Sequence, residues 1–212
     1  MTALGREFFF PFSHCTRVDV MFSHLGDELT DVEVEVFNQH GEPVQSRRFL
    51  DVPERGSITT REDAKADNLS RAVGANMIGL VSIHGASNAL LSATALIIGK
   101  GMTSCALLRP LPMAVGTQLH ATVAIGDKFH VLLANPHAAE AVISVEVAVD
   151  GARFELLQDP IRLGRNHVAL TEDVLGVGRP VAVRLACARS TPFLAWGLGI
   201  GGNRTELYPL NE

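Results

Sequence analysis

Basic side chains are scarce in this sequence and are never clustered. The only lysines are Lys65, Lys100 and Lys128, and no basic run is longer than the pair Arg47 and Arg48. The formal net charge is −5. Proteins that bind nucleic acid usually carry a basic stripe with interleaved aromatic residues. We therefore expect no nucleic-acid partner.

Cysteines are also few. Cys15, Cys105 and Cys187 are widely separated and form no Cys-x-x-Cys pair. That spacing indicates no zinc site, and three thiols cannot close a disulfide framework. The N-terminal apolar run is short and is interrupted by Pro11, unlike the apolar core of a secretory signal. We therefore expect a cytoplasmic protein that carries no cofactor.

Aromatic residues make up only 6% of the chain, whereas hydrophobic residues of all kinds make up 47%. The core must therefore be built mainly from aliphatic side chains. The 212 residues are enough for one large domain or for two domains of about 100 residues each.

The sequence repeats itself at an offset of 111 residues. The segment VMFSHLGD begins at Val20 and the segment VLLANPHA begins at Val131, and each is an apolar run that leads into a polar turn. The next pair, DVEVEVF from Asp31 and VISVEVA from Val142, keeps the same offset. A fixed offset that is kept through successive elements indicates an internal duplication.

Later in the chain the offset falls to 102 residues. VSIHGASNALLSA begins at Val81 and VRLACARSTPFLA begins at Val183. The first copy is therefore longer, mainly in the polar segment 61–75, which we predict to be a surface insertion. Prolines and a glycine in residues 109–116 place the boundary between the copies there. The predicted modules are residues 1–109 and 110–212, with 4–107 and 117–202 superposing.

Alternation of apolar and polar residues predicts the fold class. Val32, Val34 and Val36 would face a core while the glutamates between them face water. Asp150-Gly151 between two apolar runs predicts a type I′ hairpin turn. Short strands with turn signals between them favour an all-β protein of two tandem immunoglobulin-like antiparallel β-sandwich modules.

One apolar stretch, residues 77–99, has the length of a membrane span and lacks Asp, Glu, Lys and Arg. However, it contains His84 and several polar residues, and the corresponding stretch of the second copy contains Arg184 and Arg189. We predict two buried strands joined by a turn at 85–88, and no membrane span.

Each half resembles the β-sandwich of the sensory rhodopsin transducer family. The resemblance lies in DVEVEVFNQHGEPVQSRRFLDVPERGSIT, which begins at Asp31, and in the strand pair around VSIHGASNALLSA. It implies a cytosolic module that forms cyclic oligomers and that binds or transduces signals without catalysis. The fusion of two modules in one chain departs from the family pattern.

Turn residues at equivalent places in the two copies are candidates for binding. His24 aligns with Asn135, and His137 follows two positions later. Loops at one end of a sandwich often carry binding residues. The alternative is that these side chains cap a turn by bonding to backbone groups.

Catalytic and metal sites are not indicated. No two of the eight histidines lie at HxH or HxxxH spacing. His14, Cys15 and Met21 form a soft ligand set, but neighbouring residues of a strand point to opposite faces. No nucleophile motif accompanies the serines. An enzyme with histidines and acids in a cleft between modules, and a structural subunit of a filament or shell, remain alternatives.

Four phenylalanines lie within five residues, Phe8, Phe9, Phe10 and Phe12. Because alternate side chains of a strand point to opposite faces, they cannot all enter one core. We expect Phe8, Phe9 and Phe12 to contribute to an interface between modules or subunits. The sequence thus predicts a homo-oligomeric, non-catalytic module that binds a small molecule or a protein.

Overall fold

The protein is all-β in the computed structural model, which describes residues 4–60, 77–99, 105–108, 113–122, 128–174, 179–201 and 204–208. Two compact units divide the chain. Unit 1 comprises Met1–Asn38 and Glu42–Leu111, and unit 2 comprises Gln39–Gly41 and Pro112–Glu212.

Unit 1 contains the first seven strands. They are β1 (Glu7–His24), β2 (Thr30–Asn38), β3 (Pro43–Val52), β4 (Ser57–Thr59), β5 (Met77–Gly85), β6 (Leu91–Gly99) and β7 (Cys105–Leu108). They form one sheet in the order β3-β2-β5-β1-β6-β7, with β4 also paired to β1. The early part of β1 pairs with β5 from Glu7 to Phe12, and the later part pairs with β6 as far as His24.

In the described ranges, unit 2 contains nine strands in two sheets. They are β8 (Gly116–Thr122), β9 (Lys128–Asn135), β10 (Ala141–Val149), β11 (Glu155–Leu156), β12 (Ile161–Leu163), β13 (His167–Leu170), β14 (Pro180–Cys187), β15 (Leu194–Gly201) and β16 (Arg204–Tyr208). One sheet has the order β11-β10-β14-β8, with β12 also paired to β10. The other has the order β13-β9-β15-β16.

The two units pair their strands in the same order if the early and late parts of β1 are matched to β8 and β9. The register also agrees. Val34 faces Ile83 across β2 and β5, and Val145 faces Leu185 across β10 and β14. These equivalences have the offsets of 111 and 102 residues found in the sequence.

A turn before β4 and β13 is also repeated. Arg55 and Asn166 both adopt positive φ, 53° and 59°. Just after each short strand a buried threonine hydroxyl accepts a backbone N–H bond, to Thr60 from Val20 and to Thr171 from Val131, both at 2.9 Å. The sequence offset of 111 residues therefore corresponds to the same local bonding in each unit.

Aliphatic strand residues form most of the core, as the composition requires. Val32, Val34 and Val36 are fully buried in unit 1. In unit 2 the alternate residues of β10 and β14 pack with Phe129 and Phe193 in one buried cluster. The glutamates between the valines of β2 stay partly or fully exposed, so the alternation in the sequence assigned the faces of this strand correctly.

The all-β class predicted from the sequence is confirmed. The type I′ turn is confirmed too, since Asp150 and Gly151 have φ values of 53° and 74° and Ala152 N donates to Val149 O at 3.0 Å. The immunoglobulin-like assignment and the duplication stay interpretations, and the strand orders do not establish the immunoglobulin pattern. The predicted module boundary lies close to the division between Leu111 and Pro112.

Residues 77–99 form two strands, β5 and β6, joined by a turn, as predicted. No helix in the described part of the chain is long and apolar enough to cross a membrane. The predicted insertion at 61–75 lies outside the described residues, as do the side chains of His14 and Cys15.

Candidate functional site

The predicted binding residues lie where one strand of each unit runs into a loop. His24 is the last residue of β1 and Asn135 is the last residue of β9. Both are completely buried. His137 follows Asn135 in the loop and is partly exposed. The structure therefore places the two aligned residues alike but gives them different surroundings.

Asn135 closes the turn that follows it. Its Nδ2 donates to the backbone oxygens of Ala139 at 2.8 Å and Leu163 at 2.9 Å. Its Oδ1 accepts from the N–H of His137 at 3.0 Å. A buried amide whose groups are engaged in this way stabilises local structure. These bonds fit the alternative in which Asn135 caps the turn, and a binding role for Asn135 stays a prediction.

His24 has the opposite character. Its backbone N–H donates to Gly56 O at 2.8 Å, but neither ring nitrogen has a hydrogen-bond partner in the described part of the chain. Gly26 lies against the ring, so closely that a Cβ atom there would come within 2.6 Å of Nε2. A buried polar group without a partner costs about 1–3 kcal/mol. His24 is therefore a local cost to stability that Asn135 avoids.

Exposed leucines lie in the loop that follows His24 and in the chain segments bonded to it. Leu25 N donates to Leu90 O at 2.8 Å, and Asn88 Nδ2 donates to Leu29 O at 3.0 Å. Gly5, next to Leu4, exchanges two backbone bonds with Leu91. These bonds hold four leucines at one end of unit 1. We call this surface the leucine patch: Leu4, Leu25, Leu29 and Leu90, which are 54%, 44%, 58% and 40% exposed.

Charged residues of both signs border the leucine patch. Asp27 and Glu28 are exposed in the same loop. Arg6 is two residues after Leu4 in the chain, and its guanidinium donates to Ser87 O at 3.3 Å, three residues before Leu90. Exposed apolar side chains grouped together and rimmed by polar residues are typical of an interaction surface. Sequence reasoning missed these leucines because they are separated along the chain by up to 86 positions.

Unit 2 exposes less apolar surface at the equivalent end. The equivalent bridges Gly5–Leu91 and Ala114–Phe193 match Leu4 to Met113. The offsets of 111 and 102 match the other three leucines to Pro136, Glu140 and Pro192. Of these four residues, only Met113 is an exposed large hydrophobic residue, at 41%, and Val115 near it in the chain is 48% exposed. The Sδ atom of Met113 lies 2.9 Å from Nε2 of His137. The side chain of His137, a predicted binding residue, therefore contacts another residue of unit 2.

The phenylalanines near the N-terminus are buried within the chain. Phe8, Phe9 and Phe12 are 4%, 9% and 1% exposed. The premise that they cannot all be buried in one chain does not hold, because side chains on both faces of the sheet are buried here. Ser82, opposite Phe9 on β5, is also fully buried. The interface between modules or subunits that was predicted at Phe8, Phe9 and Phe12 stays a prediction.

One histidine of unit 1 lies between two carboxylates. Nδ1 of His84 is 3.8 Å from Glu7 Oε1, and Nε2 is 3.9 Å from Glu35 Oε2. Both distances exceed the usual limit for a hydrogen bond. The carboxylates lie at opposite ring nitrogens, so they cannot share one metal ion with the imidazole. Across the described ranges no group of three or more His, Cys, Asp or Glu is suited to a metal.

A shallow pocket of about 320 Å³ lies on the β8–β14 side of unit 2. His120, Pro180 and Ala182 are among its lining residues. Nε2 of His120 is hydrogen-bonded to Nε2 of Gln118 at 3.0 Å. The pocket is a place where a small molecule could contact a histidine on an otherwise largely apolar wall.

The sequence matches no protein-family model and no curated protein. Among solved structures, an anti-sigma factor domain-containing protein is similar with a TM-score of 0.26 and 10% identity, covering 96% of this chain and 81% of that one. A protein of the same description from Clostridium clariflavum gives a TM-score of 0.29 and 6% identity, covering 96% and 82%. Likenesses at this level carry no inference. The resemblance to sensory rhodopsin transducers stays a prediction.

Proposed function

We propose that this chain is a non-catalytic binding and assembly module that self-associates through the leucine patch of unit 1. The observation that carries the proposal is the grouping of four half-exposed leucines at one end of a single unit. Burying a leucine side chain contributes about 1.5–3 kcal/mol relative to leaving it in water. A surface of this kind is therefore stabilised when a second surface covers it.

A second copy of the chain is a suitable occupant because the charges around the patch complement themselves. In a two-fold interface, the same patch faces itself, and residue i of one copy meets residue j of the other. Arg6 and the pair Asp27 and Glu28 border the leucines. Two-fold pairing can therefore set each arginine of one copy near the acids of the other while leucine meets leucine.

The signal-transducing role that the family resemblance implies is part of this proposal. A small-molecule ligand, if the module has one, is expected in the pocket beside His120. Both roles are separate from self-association, which depends on the leucine patch alone.

Replacing Leu25 and Leu29 together with aspartate is expected to weaken self-association by about 2 kcal/mol or more, which is a rise of roughly thirty-fold in the dissociation constant. The reason is that both side chains would leave an apolar contact and two new carboxylates would join Asp27 and Glu28. The measurement is sedimentation velocity over a concentration series.

The matched control is Leu156→Asp, because Leu156 is a leucine of unit 2 with a similar exposure of 54%. We expect this change to leave the dissociation constant unchanged. A native chain that stays monomeric at high concentration would refute the proposal, and so would an equal response to the two sets of changes.

A further inference from the structure

One of the two edges of the sheet in unit 1 is formed by β3, and β7 lies at the other end of the described strand order. Strand β3 is the first in the order β3-β2-β5-β1-β6-β7, and no described strand pairs with its outer side. Its residues are exposed along most of their length, including two large hydrophobic residues, Val44 at 45% and Leu50 at 63%. Unpaired strand edges can pair with an extended segment of another chain.

The direction of the backbone groups on β3 follows from bonds made by β2. Ala86 N donates to Asp31 O at 2.9 Å, so the backbone C=O group of Asp31 points toward β5. The backbone N–H and C=O groups of successive strand residues point to opposite neighbouring strands. Those of Val34, three residues after Asp31, therefore point toward β3. The register partner of Val34 is Arg47, so the backbone N–H and C=O groups of Arg47 point back toward β2. The N–H and C=O groups of the neighbouring Ser46 and Arg48 therefore point to the open edge.

Irregularities limit this edge to a short straight segment. The register of β3 against β2 shifts at both ends, beside Pro43 and between Phe49 and Val52. Asp51, at the second shift, has a φ of 53°. Bulges of this kind end pairing and turn an edge away. Residues 45–49 remain regular between them, which gives a site for a partner strand of about five residues.

The equivalent edge of unit 2 is broken. There the strand is replaced by two short pieces, β11 (Glu155–Leu156) and β12 (Ile161–Leu163), with Pro160 between them. Short edge strands and proline are common ways to prevent edge pairing. Of these two equivalent edges, only the one in unit 1 is a long strand among the described residues, which is the pattern expected if that edge has a partner.

Two arginines define the chemistry of the β3 edge. The Arg47 guanidinium carbon lies 4.6 Å from the centre of the Phe49 ring. Arg48 donates to Asp31 Oδ2 at 2.7 Å. That bond, together with the bond from Asp51 N, lowers the pKa of the Asp31 carboxyl below its ordinary value. Both cations are therefore held along the segment that a partner strand would cover.

Self-pairing of this edge is disfavoured by the same arginines. When two copies of β3 pair antiparallel, their outward-pointing residues face each other only in registers where the numbers of the two paired residues add up to an even number. Two such registers pair five residues within 45–50. One places Arg47 opposite Arg47 of the second copy, and the other places Arg48 opposite Arg48 of the second copy. Like charges directly opposite each other destabilise a strand pair. An acidic strand would instead set its carboxylates beside Arg48 on one face of the sheet or beside Arg47 on the other.

We propose that the outer edge of β3 binds an extended acidic segment of another protein by strand addition. Backbone bonds to Ser46 and Arg48 give the affinity, and the guanidinium group on the face that carries the partner's acidic residues selects carboxylate side chains. This surface does not include the leucine patch, so it is independent of the self-association proposed above.

The test uses a fluorescent peptide of about eight alternating glutamate and valine residues and the whole chain. Ser46→Pro removes an N–H that points outward, while the bonds between β3 and β2 are kept. Ser46→Ala is the matched control, since both changes remove the same hydroxyl bond to Glu33 Oε1. We expect native protein and Ser46→Ala to bind alike, and Ser46→Pro to bind at least about ten-fold more weakly.

Two further measurements keep the result decisive. In the native protein, the backbone amide signals of Ser46 and Arg48 should shift on titration with the peptide. A peptide with lysine in place of glutamate should bind at least about ten-fold more weakly. Absence of binding, equal binding of the lysine peptide, or signal changes confined to other strands would overturn the proposal. So would dimerisation that Ser46→Pro abolishes, because a second copy would then be the occupant.

Discussion

Gly79→Ala is expected to destabilise unit 1 by about 3 kcal/mol. Gly79 lies in β5, where a Cβ atom would sit 2.2 Å from the carbonyl oxygen of Phe37 and 2.6 Å from the ring of Phe12. Both neighbours are buried, at 6% and 1% exposure, so neither can move away without disturbing the core. Equilibrium unfolding in urea measures the loss.

The control for this change is Gly116→Ala in β8. A Cβ atom there would lie 3.4 Å from its nearest neighbour, the carbonyl oxygen of Leu185, which is an ordinary contact. Alanine also reduces the freedom of the unfolded chain, so a gain of about 0.4–1 kcal/mol is expected. Equal losses at the two glycines would show that crowding at Gly79 is not the cause.

Asn135→Leu is expected to cost about 3 kcal/mol in the unfolding of unit 2. The change leaves two carbonyl oxygens, of Ala139 and Leu163, and the N–H of His137 without the partner they now have. Each buried group left unpaired costs about 1–3 kcal/mol. The same urea experiment measures this loss, and Asn135→Asp separates shape from bonding because it keeps the size but removes the Nδ2 donor.

His24→Leu should behave differently although it alters the aligned position. No side-chain bond is lost, because neither ring nitrogen has a partner in the described structure. We expect a change within about 1 kcal/mol of zero, or a small gain. A loss as large as that of Asn135→Leu would mean that His24 makes a bond the structure does not show. A gain would indicate that histidine is kept for a reason other than stability.

Local patterns in the sequence were sufficient where a strand has one buried face and a regular turn. Val32, Val34 and Val36 are buried as their alternation predicts, and Asp150-Gly151 adopts the turn that this dipeptide favours. These features depend only on near neighbours in the chain. The sequence offsets of 111 and 102 residues also reappear in the structure, as equivalent strand registers in the two units.

Features that depend on distant partners could not be predicted in this way. Alternation assigns residues to faces but does not say whether a second face is covered, so it could not show that Phe9 is buried within the chain. The leucine patch is assembled from positions near 4, 25, 29 and 90, which only the folded backbone brings together. The contrast between Asn135 and His24 depends on carbonyl groups supplied by other strands.

The continuity of β1 has a consequence for how unit 1 opens. One strand of 18 residues pairs with β5 in its early part and with β4 and β6 in its later part. In unit 2 the matching strands, β8 and β9, are separate elements in separate sheets. Detaching β1 would expose amide protons on both sides at once, whereas β8 and β9 can detach one at a time. Amides of β5 and β6 should therefore exchange with solvent deuterium as one cooperative group, and those of β14 and β15 as two.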